Sequence, residues 1–128
     1  QNLKDTGECV INIVNTHLLE KMNLTSAPIN IEESEFDLAK IEHSKSNVVN
    51  PLSVKESPVR YECTLREIIH LGDLPTGGTL VLLDVKFVYV RDDLYSAEGI
   101  NQELIDSVGK MGGDGYSPTS DYIALNRP

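Results

Sequence analysis

Four glycines, a lysine and a tyrosine fall within one stretch near the C-terminal end of the chain, Val108-Gly109-Lys110-Met111-Gly112-Gly113-Asp114-Gly115-Tyr116. Glycine lets a backbone approach a ligand closely and reach positive φ, lysine brings a mobile cation, and tyrosine offers a flat face with a hydroxyl. Together they suit an anionic, planar ligand, although a plain surface turn accounts for the same composition. A second polar cluster, Met22-Asn23-Leu24-Thr25-Ser26-Ala27-Pro28, runs from a helix end into a hydroxyl-rich loop, where simple helix termination is the competing reading. Both clusters supply neutral donors rather than acids or bases. That fits holding a ligand better than moving protons.

Other chemistries fail on spacing. Gly109-Lys110 lacks the preceding spaced glycine of a P-loop, and Met111 stands where Ser or Thr is required. Neither Gly77-Gly78 nor Gly112-Gly113 lies between a strand and a helix as the dinucleotide fingerprint demands. His17, His43 and His70 are far apart, with no helical ligand spacing to Cys, Asp or Glu, so no metal is expected. Cys63 with His70 would be a nucleophile and base, but Cys63 sits on the apolar face of a strand with nothing to lower its pKa. Glu32-Glu33 and Asp92-Asp93 read as solvated loop charge. No catalytic residue is assigned.

The bulk numbers set the class. A chain of 128 residues with 40% hydrophobic and 24% charged residues is an ordinary globular composition, long enough for one domain with a modest core. Eleven basic against twenty acidic residues give a net charge of -9, which repels nucleic acid and anionic membranes. A local cation can still hold one phosphate. Cys9 and Cys63 read as buried free thiols, with a disulfide between them left open. Neither a leader-like apolar segment nor a membrane-length run occurs, and Asn23-Leu24-Thr25 is read as a chance glycosylation match, so a cytoplasmic protein is expected.

The elements that must position the clusters follow from pattern. Asn2 to Thr6 reads as a helix end stopped by Gly7, and Glu8 to Val14 as a buried strand. Asn15 or Thr16 caps a short helix carrying Leu18, Leu19 and Met22 on one side, with Glu20 near its positive end. A loop over Thr25 to Ile31 precedes a helical turn capped by Ser34, and a polar loop runs from Glu42 to Asn50. Val59, Tyr61, Cys63 and Leu65 alternate with Arg60, Glu62, Thr64 and Arg66, a half-buried strand whose phase breaks at Glu67-Ile68-Ile69. The turn cluster Gly72 to Gly78 joins it to a second strand, Leu80 to Val90, with Val81, Leu83, Val85, Phe87 and Tyr89 on one face. Asn101 to Ser107 predicts a short helix, and Tyr122 to Leu125 a terminal edge strand. A small barrel or curved sheet with peripheral helices is the fold these elements build.

The order of segments resembles a known family. Thr6-Gly7-Glu8-Cys9-Val10-Ile11-Asn12, Met22 to Ala27, Glu35-Phe36-Asp37-Leu38-Ala39, Glu56 to Cys63, the long hairpin and Val108 to Tyr116 are similar in order to the flavin reductase-like, FMN-binding split-barrel family. The resemblance implies a mainly β fold with peripheral helices, a Greek-key split β-barrel. It also implies a homodimer with FMN near the subunit interface, and NAD(P)H as a substrate in the reductase members. Flavin does the hydride or electron chemistry in such proteins, which is why no acid, base or nucleophile is needed. The family's Gly-Arg-Leu-Gly-Gly segment matches Gly109, Lys110, Met111, Gly112 and Gly113, with lysine keeping the charge but losing bidentate recognition. Tyr116 matches the tyrosine that follows, a ring or ribityl contact, and Asn23, Thr25 and Ser26 match a polar loop beside the flavin. Relatives carry an upstream half with the first barrel strands and an early Lys-Asp-Thr, whereas Lys4-Asp5-Thr6 matches a later, helix-ending copy. Residues 1–128 are therefore expected to be one domain forming the C-terminal portion of the barrel, incomplete by itself. The alternative is a non-enzymatic split-barrel interaction domain that has lost flavin.

Overall fold

The computed structural model describes residues 2–30, 33–72 and 77–127. Helix α1 (Asn2–Thr6) ends as expected, with Gly7 at φ 68° donating its N–H to Leu3 O at 3.0 Å. An L side chain rarely adopts that φ, so glycine is what stops the helix and aims the next strand. Strand β1 (Glu8–Asn12) pairs antiparallel with β4 (Val59–Leu71), which pairs antiparallel with β5 (Gly78–Val90), giving a three-stranded sheet in the order β1-β4-β5. β4 and β5 are the expected long hairpin. The central residues of its turn, Asp73 to Thr76, lie outside the described residues, as do Ile31 and Glu32. The ladder slips between Leu65 and Glu67, a bulge placed just before the Glu67-Ile68-Ile69 phase break. A second slip separates Glu62 from Cys63.

Short elements decorate this sheet. Asn15 caps a 3-10 turn (Thr16–Leu18), accepting from Leu18 N–H, and the turn runs directly into α2 (Leu19–Leu24). Ser34 stands at the N-cap of α3 (Glu35–Leu38), but its side chain makes no capping bond. Strand β2 (His43–Ser44) lies within what reads in sequence as a polar loop and pairs with β3 (Ser53–Val54) just beyond it. A small hairpin of β6 (Tyr95–Ser96) and β7 (Gly99–Ile100) leads to α4 (Gln102–Ile105), capped by Asn101, and then to β8 (Val108–Lys110) and β9 (Tyr116–Pro118). The buried cluster Val59, Leu94 and Ile105, with Ile13, Tyr61 and Val90 against it, sits where β4 begins and β5 ends. It anchors the segment that carries β8 and β9.

Three expectations need correction. Arg60 and Glu62 fall on the polar side of the alternation, yet they are buried, at 9% and 1% exposure. The 43–55 arm explains this, because it lies over that face and meets the charges with donors and acceptors. Glu62 accepts from Asn47 N at 2.8 Å, Val48 N at 2.6 Å and Asn47 Nδ2 at 2.9 Å. Burial pushes the Glu62 carboxyl up, but the N–H groups of Asn47, Val48 and Val49 and the Asn47 amide outweigh it and hold the group below the usual carboxylate range. Arg60 donates from Nη1 to Ser44 Oγ at 3.1 Å and stacks its guanidinium 3.6 Å from the Tyr89 ring. Strand β1 is half-buried rather than buried, with Ile11 exposed and Cys9 only partly covered. The two cysteines are free thiols, which decides the alternative left open by the sequence. Finally, Tyr122 to Leu125 pairs with no strand among the described residues and is exposed, since a β-prone run gains little without a free edge beside it.

Candidate functional site

The glycine-rich segment is a hairpin. Gly109 pairs with Ser117 and Lys110 with Tyr116, and residues 111–115 form the connecting loop. Met111 N–H donates to Gly115 O at 2.9 Å and Gly115 N–H to Gly112 O at 3.2 Å, while Gly113 takes φ 59°. A Cβ on Gly115 would stand 3.3 Å from Gly112 O and 3.4 Å from Met111 Cβ, so a side chain there requires the tight loop to give by a few tenths of an ångström. The turn reading therefore describes the backbone correctly.

The hairpin is pinned to the start of α2. Val108 N–H donates to Val14 O at 3.0 Å, Asn15 and Ser107 form a β-bridge, Thr16 N–H donates to Asp106 O at 3.3 Å, and the Thr16 hydroxyl bonds the Asp106 carboxylate. These bonds hold α2 and the hairpin on two sides of a cleft of about 610 Å³. Ligand sites commonly run from roughly 300 to 1,000 Å³. Asn23 and Ser26 face it from one side, and Lys110, Gly113 and Tyr116 from the other.

The other site residues from the sequence go elsewhere. Thr25 lines a separate, mostly apolar cavity of about 380 Å³ between β1, α2 and α3, and its Oγ1 donates to Met22 O at 2.7 Å. Gly112 is part of the loop but not of the cleft wall. Three wall residues were missed: Leu19, Glu20 and Asp114. Glu20 was findable, because it lies three residues before Asn23 and so shares its helix face.

Polar groups in the cleft are unequally committed. Ser26 Oγ donates to Asn23 O at 2.7 Å, leaving its lone pairs for a donor. The Lys110 ammonium is drawn into its own loop, donating to Gly113 O and, at 3.4 Å, to Gly115 O, and lies 4.5 Å from the Tyr116 ring centroid. Glu20 and Asp114 stand against this one ammonium, so the cleft is not an electropositive phosphate cradle. It suits a flat, polar, largely neutral group against Tyr116. Among the described residues no group of three or more His, Cys, Asp or Glu is placed to hold a metal ion. His43 packs its ring 5.2 Å from Phe36, and the His70 ring lies beside the Thr79 hydroxyl, away from Cys63.

The model of the flavin reductase like domain matches residues 1–110. This chain belongs to that family. The match takes in Asn23, Thr25 and Ser26 and ends at Lys110, so Gly112, Gly113 and Tyr116 lie beyond it. An uncharacterised protein of Halalkalibacterium halodurans is 31% identical over 131 residues, covering 100% of this chain and 62% of its own length. A protein assigned as a flavin reductase with a split barrel domain, from Shewanella frigidimarina, superposes with a TM-score of 0.87 at 30% identity over 99% of this chain and 64% of that one. Nitrilotriacetate monooxygenase component B from Bacillus cereus does so with a TM-score of 0.87 at 28% identity, over 97% of this chain and 62% of that one. The fold is mainly β and matches the split-barrel folds of this family. The chain spans about three-fifths of the length of the relatives it matches. Among the described residues no helix is long and apolar enough to cross a membrane.

Proposed function

We propose that the chain is part of a cytoplasmic, homodimeric FMN-binding oxidoreductase that passes a hydride or electrons through bound flavin, with NAD(P)H as the donor. The observation that carries this reading is the convergence of Asn23, Ser26, Lys110, Gly113 and Tyr116 on one cleft in a flavin reductase-like chain. Flavin supplies the hydride and electron chemistry when bound. The residues of this chain hold and orient it. Tyr116 offers a ring face, the Asn23 amide a donor and an acceptor, and Ser26 Oγ an acceptor. These groups fit the ring and ribityl parts of FMN. They do not fit its phosphate, since Lys110 is committed to its loop and two carboxylates line the same cleft.

Titration of the protein with FMN, followed by flavin fluorescence and the visible spectrum, tests the proposal. Quenching and a spectral shift, both reduced in Asn23→Ala and Tyr116→Leu, are expected; an unchanged spectrum at saturating FMN rules the reading out. The acidic cleft wall favours one alternative, a split-barrel interaction domain without flavin. NADH oxidation on addition of FMN would dispose of that alternative.

A further inference from the structure

Cys9 and Cys63 stand directly opposite each other in the β1–β4 ladder, and neither enters the cleft. The bonds from Leu65 N–H to Gly7 O, 2.7 Å, and from Ile13 N–H to Val59 O, 2.9 Å, show which pairs of this ladder exchange hydrogen bonds. Two residues along the register from Gly7 and Leu65 are Cys9 and Cys63, so they form a hydrogen-bonded pair, with Cα atoms about 5.5 Å apart. Opposed residues in a ladder project from the same face of the sheet. The Cys63 thiol donates to Tyr61 O at 3.5 Å, and both cysteines are free. Disulfides span Cα separations of roughly 4.4–6.8 Å, so a bond here calls for side-chain rotation rather than strand displacement.

Access separates the two thiols. Cys63 is 1% exposed, whereas Cys9 is half-buried on an edge strand of the sheet. A reagent in solution therefore meets Cys9 first, and Cys63 meets only what Cys9 already carries.

We propose that Cys9 and Cys63 form a reversible dithiol–disulfide modification site that takes a low-molecular-weight disulfide of the glutathione class as its oxidant. The Cys9 thiolate attacks one sulfur of the reagent, forming a mixed disulfide and releasing one reagent thiolate. The Cys63 thiolate then attacks the Cys9 sulfur, closing the intrachain bond and releasing the second reagent thiolate. Two electrons pass from the cysteines to the reagent disulfide, and the two cysteine protons leave to solvent or to the released thiolates. Burial pushes both thiols up, so the reaction accelerates as pH rises through the thiol range. Nothing in this step depends on bound flavin. The product ties β1 to β4 and closes a long loop, which stabilises the fold by constraining the unfolded chain.

The experiment treats the whole folded chain with oxidised glutathione under native conditions and follows intact mass and melting temperature. The expected product is a monomer lighter by two hydrogens, with no retained adduct and a Tm raised by roughly 5–15 °C, reversed by dithiothreitol. Cys63→Ser should accumulate a stable adduct on Cys9, while Cys9→Ser should leave Cys63 unmodified. Three results would overturn the proposal: a persistent adduct on the native dithiol protein, closure only in denaturant, or a lowered Tm after closure.

Discussion

Among the described residues two cations lie against tyrosine rings, and they sit in opposite surroundings. Arg60 is buried between β5 and the 43–55 arm, 3.6 Å from Tyr89, with Nε unpartnered among the described residues. Lys110 is exposed at the cleft, 4.5 Å from Tyr116, and bonded to carbonyls of its own loop. Arg60 belongs to a region where a planar cation and a buried carboxylate glue an arm to a strand. Lys110 belongs to one where a flexible cation shapes a turn and shares a polar cleft with two carboxylates. A charge on a rigid strand thus acts on the fold, whereas a charge on a hairpin loop acts on the local shape of a site.

Four measurements break or sharpen that contrast. The largest effect is expected at Glu62, where Glu62→Gln removes a buried charge bonded to three donor groups and should cost about 2–4 kcal/mol in urea unfolding. Because the folded pKa of Glu62 is depressed, its stabilising contribution is present above the unfolded carboxylate value and is lost as pH falls through the folded one. The native protein should lose stability through that acid window more steeply than the variant. Next, Arg60→Ala should cost about 2 kcal/mol from a desolvated cation–ring contact, with FMN affinity unchanged. A loss of FMN binding there would join the two regions and end the contrast.

Tyr116→Leu should do the reverse. It is expected to weaken flavin binding about tenfold, near 1.4 kcal/mol, while unfolding moves by less than about 0.5 kcal/mol. The smallest effect is expected for Glu20→Gln, which removes one carboxylate from the cleft and should tighten FMN by about two- to threefold at low salt and less at high salt, as screening dictates. Riboflavin, having no phosphate, should respond less. Equal tightening of both ligands would mean that Glu20 acts on the ring and not on a phosphate.

Local chemistry made much of this legible from residues alone. Gly7 at a helix end, a cap at Asn15 or Thr16, and the long hairpin with its phase break are settled by side chains acting on their nearest backbone. What failed depended on distant chain. The alternation from Val59 to Arg66 says which residues share a face, but not that the 43–55 arm covers the polar one. Tyr122 to Leu125 carries strand chemistry without a partner edge among the described residues. The site divided in the same manner. Thr25 and Ser26 are adjacent in sequence, yet rotation of about 100° per residue around a helical turn sends them to different cavities. The destination of the Lys110 ammonium was set by a stem long enough to reach a carbonyl three residues on, which no spacing rule reveals.

Asn15 is buried, its side chain fixes the turn that opens α2, and its backbone bridges Ser107 at the root of the hairpin. It touches no part of the cleft surface. The gap between helix and hairpin is nonetheless measured out from the junction at whose centre it stands, much as the pivot of a pair of calipers sets the opening of jaws it never meets.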